Sequence, residues 1–364
     1  MYQPQELAVY IHWPFCKSKC PYCDFYKELN RNINQEDIIN EYLSALKRYH
    51  ELLPERTVKS IFFGGGTPSL ITPLNIEKII KFITEHWHVA ANIEISLEAN
   101  PNSRYESMFK DLKSAGINRL SLGVQSLNDA ELRFLGRTHD TKTARICLEE
   151  IVQTFDNHSA DLIYALPEQK LKDWQNQLTQ ICSFGLKHIS LYQLTIEDGT
   201  VFARKGIKAL DEDNAIEIYN FTRDFLHDRG YLQYEISNFA LNGFASRHNL
   251  TYWQGGDYIG IGKSAHGRIY YNRQHHAVNY PFVDEPLTAK QRAQELIIMG
   301  LRLTEGIDKH DFTKICGIDF HDFVNPEKLR LLKEQNLLQE TDTRIFASYD
   351  GFLLVDAIAA ELCG

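Results

Sequence analysis

The sequence lacks the features of a membrane-spanning or secreted protein. Its 364 residues contain no run of about eighteen consecutive apolar residues, the length that a membrane-spanning helix requires. The N-terminus, Met-Tyr-Gln-Pro-Gln-Glu, also lacks the basic and then apolar profile of a secretory signal peptide. These absences predict a cytoplasmic protein without a transmembrane segment.

The chain also has fewer basic than acidic residues. Lysine and arginine together number 39 and aspartate and glutamate 48, which leaves a net charge of −9 with neutral histidines. Proteins that bind a phosphate backbone normally carry a basic excess or a basic stripe. The charge balance therefore predicts that nucleic acid is not a partner.

Cysteine is scarce except in one place. Seven cysteines occur in the chain, and three of them, Cys16, Cys20 and Cys23, fall close together near the N-terminus. An odd number with this spacing does not suit a disulfide framework, and in a reducing compartment clustered thiols are more often metal ligands or catalytic groups. We assign no chemistry to the other four, which are scattered along the chain.

Between residues 8 and 237, short β-branched or aromatic runs alternate with longer amphipathic stretches, which is typical of βαβ units and a mostly parallel sheet. The pattern predicts strands over residues 8–12, 60–63, 93–98, 118–122, 160–163, 187–193 and 231–236. Helices are predicted over 37–53, from 73 onward, and over 104–114, 141–154, 172–184 and 211–229. We therefore expect an α/β fold in which residues 1–237 form a partial (βα) barrel, with its site at the carboxyl ends of the strands.

The remainder of the chain is less regular. Residues 238–285 are rich in Gly, Asn, Tyr and His and predict an irregular connector that carries short elements, in which His275 and His276 form a solvated surface pair. Residues 286–364 predict a small, mostly helical winged-helix-like domain. Its predicted elements are helices over 291–303, 308–316 and 326–335 and a final hairpin near 346–355.

The motif Cys16-Lys-Ser-Lys-Cys20-Pro-Tyr-Cys23 directly follows the first predicted strand. Thiolates at spacings of four and three can converge from one compact loop onto an iron–sulfur cluster and leave one iron to be bound from outside. A structural zinc site is the alternative. Zinc favours four protein ligands, and no second cysteine pair is present, although His12 could complete a set.

This motif resembles the CxxxCxxC loop of the radical S-adenosylmethionine (SAM) superfamily. The resemblance implies that Cys16, Cys20 and Cys23 bind a [4Fe–4S] cluster whose unique iron is chelated by SAM. It also implies that reduction of the cluster would cleave SAM to a 5′-deoxyadenosyl radical.

A run of glycines ends the second predicted strand, in the phrase Gly64-Gly65-Gly66-Thr67-Pro68. Glycines here let backbone groups approach a ligand closely and form hydrogen bonds with it. The phrase is similar to the GGTP motif that contacts the SAM amino group in the superfamily. Gly65, Gly66 and Thr67 are therefore candidate SAM-binding residues.

Further polar residues lie where the predicted barrel strands end. Carboxylate and guanidinium groups in one cavity could bind the ribose hydroxyls and the carboxylate of SAM. As a set, these residues resemble the oxygen-independent coproporphyrinogen III dehydrogenase family within the superfamily, and the resemblance extends over most of the chain. It implies that Tyr10 lies near the adenosyl end of SAM. It also implies that four of these polar residues line the SAM site: Glu98, Gln125, Arg137 and Asp161.

Two departures from the coproporphyrinogen enzymes distinguish a branch of that family. Those enzymes have a fourth cysteine two residues after the third, where this chain has Phe25, and an extension before the cluster loop, where only fifteen residues precede Cys16. Both departures match the heme chaperone branch. The segment from Arg247 to Trp253 also matches the HNxxYW motif of that branch.

The HNxxYW segment could bind heme or be purely structural. Imidazole is a common axial ligand of heme iron, and neighbouring Tyr and Trp rings offer flat apolar faces to a macrocycle. Alternatively, His248 hydrogen-bonds within an irregular loop while Tyr252 and Trp253 fill the core beneath it. The resemblance favours heme contact by His248.

Together these features predict a heme chaperone of radical SAM fold that binds a [4Fe–4S] cluster, SAM and heme. It would transfer the heme to an acceptor protein, including a membrane-bound acceptor approached peripherally. Two alternatives stay open. One is an oxygen-independent coproporphyrinogen III oxidase, which decarboxylates propionate side chains through the 5′-deoxyadenosyl radical. The other is a zinc-stabilised module that binds a protein partner.

Overall fold

A computed structural model describes residues 4–29 and 33–364. The strands in these ranges are β1 (Glu6–Trp13), β2 (Thr57–Gly65), β3 (His88–Ala99), β4 (Arg119–Gln125), β5 (Asn157–Tyr164), β6 (His188–Gln193), β7 (Leu232–Glu235), β8 (Asn238–Ala240), β9 (Tyr258–Ile261), β10 (His266–Tyr271), β11 (Gln274–Asn279), β12 (Val283–Pro286), β13 (Ile307–Asp308), β14 (Leu338–Glu340) and β15 (Arg344–Ala347).

The α-helices of the same ranges are α1 (Gln35–Leu52), α2 (Pro73–His86), α3 (Met108–Ser114), α4 (Asp129–Phe134), α5 (Thr141–Thr154), α6 (Leu171–Ser183), α7 (Val201–Arg204), α8 (Glu212–His227), α9 (Arg247–Trp253), α10 (Ala289–Gly300), α11 (Lys309–Cys316), α12 (Phe320–Phe323), α13 (Pro326–Glu334) and α14 (Val355–Cys363).

One large sheet contains twelve of these strands, in the order β12-β11-β10-β9-β1-β2-β3-β4-β5-β6-β8-β7. Strands β1 to β6 pair in parallel with their sequence neighbours, and β9 joins the other edge of β1, also in parallel. The outer strands on both sides pair antiparallel. The fold is therefore the expected α/β arrangement with a mostly parallel central sheet.

Helices cover the outer face of the parallel strands, because each is amphipathic and buries one side. Helix α2 begins after Thr72, whose side chain accepts a hydrogen bond from the Asn75 backbone N–H, and has proline at its first position. Its isoleucines at 76, 79, 80 and 83 are buried in the main core. Successive strand residues point to opposite faces, so β2 directs Ile61 and Phe63 to this core and Ser60 and Phe62 to the inner face.

All seven strands predicted between residues 8 and 237 are confirmed, each within a few residues. The helix predicted over 104–114 starts later, at Met108, because Pro101 opens a short 3₁₀ turn and the chain stays extended at Arg104. The seventh predicted strand, β7, pairs antiparallel with β8, and β8 pairs antiparallel with β6, so the parallel series ends at β6.

Short elements are present over 238–285, as expected, but their strands belong to the main sheet, so the description of this stretch as irregular is wrong. This stretch forms β8 to β11, helix α9 and the first part of β12, which widen the main sheet. The hairpin between β10 and β11 turns at Asn272 and Arg273, whose positive φ angles of 49° and 65° suit a tight two-residue turn. The prediction for the histidine pair is also wrong. His275 and His276 are buried on β11, where His275 Nε2 contacts the Ile315 carbonyl and His276 Nδ1 contacts Asp284.

The C-terminal region has helices α10 to α14 and a three-stranded antiparallel sheet in the order β13-β15-β14. The hairpin predicted near 346–355 is misplaced, because the observed hairpin joins β14 and β15 at residues 341–343. Ser348 Oγ accepts a hydrogen bond from the Gly351 N–H, which turns the chain into a 3₁₀ segment and then α14. Helix α14 buries Val355 and Ile358 and was not predicted.

Candidate functional site

The inner face of the parallel sheet encloses a polar cavity of about 190 Å³. In many barrels of this kind bulky branched side chains fill the interior. Here the strands place hydroxyl, carboxyl and guanidinium groups there instead, so the interior can bind a ligand. Nine of the lining residues come from the strands, and three come from α9: Tyr10, Phe62, Glu98, Arg119, Ser121, Asp161, His188, Ser190 and Tyr192, and His248, Asn249 and Tyr252.

The loop after β1 carries the three clustered cysteines, all half-buried and free of disulfides. Thr67 Oγ1 donates a hydrogen bond to Cys16 Sγ at 3.4 Å, and Arg137 Nη1 donates to Cys20 Sγ at 3.4 Å. Burial raises the pKa of Cys16, and the Thr67 hydrogen bond opposes that rise. Donors aimed at sulfur stabilise thiolates, so this set of residues fits an iron–sulfur cluster.

In residues 4–29 and 33–364, no group of three His, Cys, Asp or Glu side chains is arranged to hold one metal ion. A [4Fe–4S] cluster does not require such an arrangement, because each cysteine ligates a different iron of the cluster.

The glycine motif at the end of β2 fastens the cysteine loop. Gly66 N–H donates to the Trp13 carbonyl at 2.7 Å, and Thr67 N–H donates to the Phe15 carbonyl at 3.0 Å. A Cβ at Gly66 would lie 2.8 Å from the backbone of Pro14 and Phe15, so no other residue fits without displacing the loop. The motif therefore sets the distance between the end of β2 and the cysteines.

Gly65 joins the same motif to the first carboxyl group of the cavity. Its N–H donates to Glu98 Oε2 at 3.3 Å, and its φ of 108° favours glycine. A Cβ at Gly65 would also lie 2.6 Å from the ring of His12, whose Nδ1 is 3.0 Å from Tyr10 Oη. Burial, together with the nearby charge of Asp161, raises the pKa of Glu98 to about 8. Glu98 is therefore largely protonated at neutral pH.

Asp161 is the second carboxyl group of the cavity. Ser121 Oγ donates to its Oδ1 at 2.8 Å. Burial raises the pKa of Asp161, and hydrogen bonds from Ser121 and Ser190 oppose this rise. Two carboxyl groups with raised pKa values in one cavity can accept hydrogen bonds from ligand hydroxyls and, when protonated, donate them.

Arg137 lies between the cysteine loop and the end of β4. Besides Cys20, its guanidinium donates to the Gly123 carbonyl at 3.1 Å and to the Asn100 side chain. Gln125 ends β4 with a φ of 69°, next to a bulge in the pairing with β5, and its side-chain amide lies beside Gly123. Both residues are therefore at the carboxyl end of the sheet, close to the cysteines.

His248 is buried on α9, with 1% of its surface exposed. Its Nδ1 is 2.9 Å from Ser60 Oγ, its Nε2 is 2.5 Å from Tyr252 Oη, and its ring stacks on Phe62. Burial and the charge of Arg119 lower the pKa of His248 to about 3. The imidazole is therefore neutral, and both of its nitrogens are engaged.

Helix α9 is held at the deep end of the cavity. The Glu94 carboxylate accepts hydrogen bonds from the backbone N–H groups of Arg247 and His248 at 3.1 and 3.2 Å, at the positive end of the helix. Ser60, the partner of His248, precedes Gly65 by five residues, which is about 17 Å along a strand. The structure thus brings His248 into the same cavity as Glu98 and Asp161, but far from the cysteine loop.

Sequence reasoning missed two inward-facing residues of this cavity. His188 is buried on β6, with Nδ1 2.7 Å from Ser159 Oγ and Nε2 2.8 Å from Tyr234 Oη, an arrangement that parallels the one around His248. Arg119 begins β4 and also lines the cavity. Polar residues at alternate positions of buried strands were the available signal for both.

Comparisons with known proteins agree with this geometry. A family model described as the radical SAM superfamily matches residues 10–179, and one described as the HemN C-terminal domain matches residues 287–354. The solved coproporphyrinogen III oxidase HemN from Escherichia coli, a radical SAM enzyme, superposes with a TM-score of 0.82. The superposition covers 99% of this chain and 91% of that one at 22% identity, so it shows a shared fold.

Relatives of known identity share more of the sequence. The heme chaperone HemW of Bacillus subtilis is 33% identical over 98% of this chain and 99% of its own, and that of Haemophilus influenzae is 36% identical over 86% of each. The mitochondrial radical S-adenosyl methionine domain-containing protein 1 of Mus musculus is 43% identical over 72% of this chain and 60% of its own length. The chain therefore belongs to the radical SAM superfamily and, within it, to the HemW heme chaperone family.

Proposed function

We propose that this protein is a heme chaperone that holds a [4Fe–4S] cluster and SAM at the carboxyl end of its barrel and transfers heme to an acceptor protein. The observation that carries the proposal is the similarity to HemW over 98% of the chain. The clustered, unpaired thiols suit a reducing compartment, which supports a cytoplasmic location. Among the described helices, none is both long and apolar enough to cross a membrane.

Cys16, Cys20 and Cys23 would hold the cluster, each through one iron. Thr67 and Arg137 support this role, because each donates a hydrogen bond to a cysteine sulfur. A reduced cluster of this type supplies the electron that cleaves SAM in the superfamily. The protein itself fixes the loop, through the backbone hydrogen bonds of Gly66 and Thr67.

SAM would lie along the inner face between the cysteine loop and the two carboxyl groups. Gly65 and Gly66 would contact SAM through backbone atoms other than their N–H groups, which bond Glu98 and the Trp13 carbonyl. Glu98 and Asp161 can bind ribose hydroxyls in either protonation state. Arg137 would bind the SAM carboxylate next to the cysteines, with Gln125 beside it. Tyr10 would face the adenosyl end, one hydrogen bond from His12.

Heme is the cargo in this proposal, and His248 is its proposed iron ligand. The low pKa of His248 keeps the imidazole neutral, as an iron ligand must be. Tyr252 Oη now occupies Nε2, and the cavity is smaller than the roughly 300–1,000 Å³ of ordinary ligand pockets. Iron binding by His248 therefore requires Tyr252 to leave Nε2 and α9 to move outward.

One experiment distinguishes the proposed heme chaperone from the alternative of a coproporphyrinogen oxidase. Cluster-reconstituted protein would be incubated anaerobically with reductant, SAM and coproporphyrinogen III, and the porphyrins analysed by chromatography. The chaperone proposal predicts no protoporphyrinogen while the cluster stays intact, and stoichiometric hemin binding by the same preparation. Repeated turnover to protoporphyrinogen would identify an oxidase instead.

A variant at Phe25 tests whether the missing fourth cysteine alone separates this protein from the oxidases. Phe25 stands at the position of the fourth cysteine of the oxidases and has 68% of its surface exposed. Substitution Phe25→Cys therefore places a thiol on the loop with little disturbance of packing. If the variant remains inactive toward coproporphyrinogen III, residues beyond this position separate the two activities.

Metal and sulfide analysis distinguishes the proposed heme chaperone from the remaining alternative, a zinc-stabilised module that binds a protein partner. The proposal predicts iron and acid-labile sulfide in anaerobically purified protein. Stoichiometric zinc without sulfide would establish a zinc-stabilised binding module.

A further inference from the structure

In the described parts of the chain, Arg119 is a buried cation with no hydrogen bond or salt bridge, although its charge acts on the carboxyl groups of Glu98 and Asp161 and partly offsets the rise in their pKa values. Only 2% of its surface is exposed, its Nε is buried without a hydrogen bond, and its guanidinium forms no salt bridge. A buried charge without an ion pair is costly, because no partner offsets the loss of its hydration, so a ligand that supplies the partner would stabilise the site. The side chain lines the polar cavity, so a ligand there could reach it.

The groups around Arg119 leave its charge available. His188 and His248 line the same part of the cavity, and burial together with the charge of Arg119 lowers the pKa of each. Both imidazoles are neutral and already hydrogen-bonded to serine and tyrosine hydroxyls. Asp161 is engaged by Ser121, and Glu98 by the Gly65 backbone. Arg119 thus presents a planar set of donors that matches a carboxylate.

The size and position of the cavity restrict the ligand. About 190 Å³ accommodates a short aliphatic arm that ends in a carboxylate, but not a macrocycle. Heme and SAM both carry such an arm. Arg119 precedes Gln125 by six residues, which is about 20 Å along β4, so it lies far from Arg137 and the cysteines. The carboxylate of a SAM molecule chelated at the cluster would not reach Arg119.

We infer that Arg119 is the receptor for a carboxylate on a short aliphatic arm, and that this arm is a propionate of heme. The identity of the arm rests on the proposed heme function. Arg119 and His248 line the same end of the cavity, so once Tyr252 has left Nε2 and α9 has moved outward, one heme can place its iron at His248 and a propionate at Arg119. Arg119 would orient the heme and select for a free propionate.

The test compares hemin with hemin dimethyl ester, whose propionates are uncharged. We expect the full-length wild type to bind hemin about 10- to 100-fold more tightly than the ester, the usual range for a hydrogen-bonded charged group. Arg119→Met should reduce hemin affinity to that of the ester without changing ester affinity. Arg119→Lys should restore part of the difference. Arg204→Met removes an exposed charge that does not line the cavity and should behave as wild type.

Each other outcome overturns a stated part of the inference. Equal binding of hemin and its ester by the wild type would overturn it even if Arg119→Met fails to fold. Unchanged hemin affinity in folded Arg119→Met protein would do the same. Loss of SAM binding with unchanged hemin binding, measured by equilibrium dialysis, would assign the carboxylate to SAM. No hemin binding by the wild type at all would overturn the heme function itself, a result distinct from equal binding of the two compounds.

Discussion

The imidazole Nε2 of His248 and the phenol Oη of Tyr252 are 2.5 Å apart, across one turn of α9. The nitrogen that an iron would need is therefore occupied by a hydroxyl from the same motif. Because Ser60 engages Nδ1, the imidazole ring is held in place while the Tyr252 hydroxyl blocks Nε2. This relationship makes Tyr252 a competitor of the proposed cargo.

Substitution Tyr252→Phe should strengthen hemin binding, because it removes the hydroxyl that iron must displace. One net hydrogen bond corresponds to an increase in affinity of roughly 2- to 10-fold. His248→Ala should weaken binding and change the heme absorption spectrum while leaving the iron–sulfur signal intact. Tyr258→Phe, which alters a ring packed against Tyr252, is the matched control. Weaker hemin binding by Tyr252→Phe would show that Tyr252 assists the heme.

Thr67→Val should retain the cluster but lower its reduction potential. The hydroxyl donates to Cys16 Sγ at 3.4 Å, and a hydrogen bond to sulfur stabilises the more negative, reduced form. Loss of one such bond corresponds to roughly 20–60 mV, measured by redox titration with electron paramagnetic resonance. Thr179→Val, at an exposed position on α6, should leave the potential unchanged. An unaltered reduction potential in Thr67→Val would show that this hydrogen bond does not act on the cluster.

Replacement of Cys16, Cys20 or Cys23 by Ala should abolish normal [4Fe–4S] assembly, because three thiolates are the minimum the loop offers. Cys147→Ala changes a thiol buried in the core on α5 and serves as the control for loss of a cysteine. Iron and sulfide content together with the absorption spectrum report the result. Full cluster content in all three loop variants would contradict the assignment of ligands.

Glu98→Gln should make the ligand-free protein less sensitive to rising pH. Burial raises the pKa of Glu98 from 4.5 to about 8, so the folded state holds this proton more tightly than the unfolded state. Wild-type stability therefore declines as pH rises from about 4.5 to 8, and the glutamine variant avoids that loss. We expect the variant to be about 1–3 kcal/mol more stable than wild type at pH 8 and equal near pH 4. Urea unfolding across this range measures the difference, and parallel profiles would refute it.

Arg56→Leu should strongly destabilise the attachment of β9 and β10 to the barrel. Arg56 Nη2 pairs with Asp257 at 3.0 Å, and their side chains are 10% and 1% exposed. Removal of one partner from such a buried pair typically costs about 3–5 kcal/mol, because the remaining charge is uncompensated. Asp257→Asn in the Arg56→Leu background should recover part of the loss. Lys78→Leu, which breaks an exposed pair with Glu36, should cost less than about 1 kcal/mol.

The parallel strands could be predicted because their outward-facing residues are strongly apolar. Strand β4 was predicted to end at residue 122 instead of 125 for the same reason that the site exists, because the inward-facing residues Gly123 and Gln125 interrupt the apolar run. Strands β9 to β11 were missed because tyrosines, histidines and glycines replace many of the branched aliphatic residues there. Pairing with β1, which lies far away in the sequence, fixes these strands.

The candidate site was predictable where a motif is contiguous, as in the cysteine loop and the glycine turn. Arg119 and His188 are isolated in sequence, and only the curvature of the sheet brings them beside His248. The contact between Tyr252 and His248 Nε2 was not predicted, because this segment was expected to be irregular and only a helix places residues four apart side by side.

The pairing of β1 with β9 has a consequence for how the chain reaches its native state. Ala8 to Ile11 pair with Tyr258 to Ile261, about 250 residues later in the chain. One edge of this central strand therefore stays unpaired until most of the polypeptide has left the ribosome. Such distant contacts make folding slow, and an open apolar edge invites aggregation in the meantime. A nascent chain or fragment that stops before β9 would thus need protection of β1 by another protein.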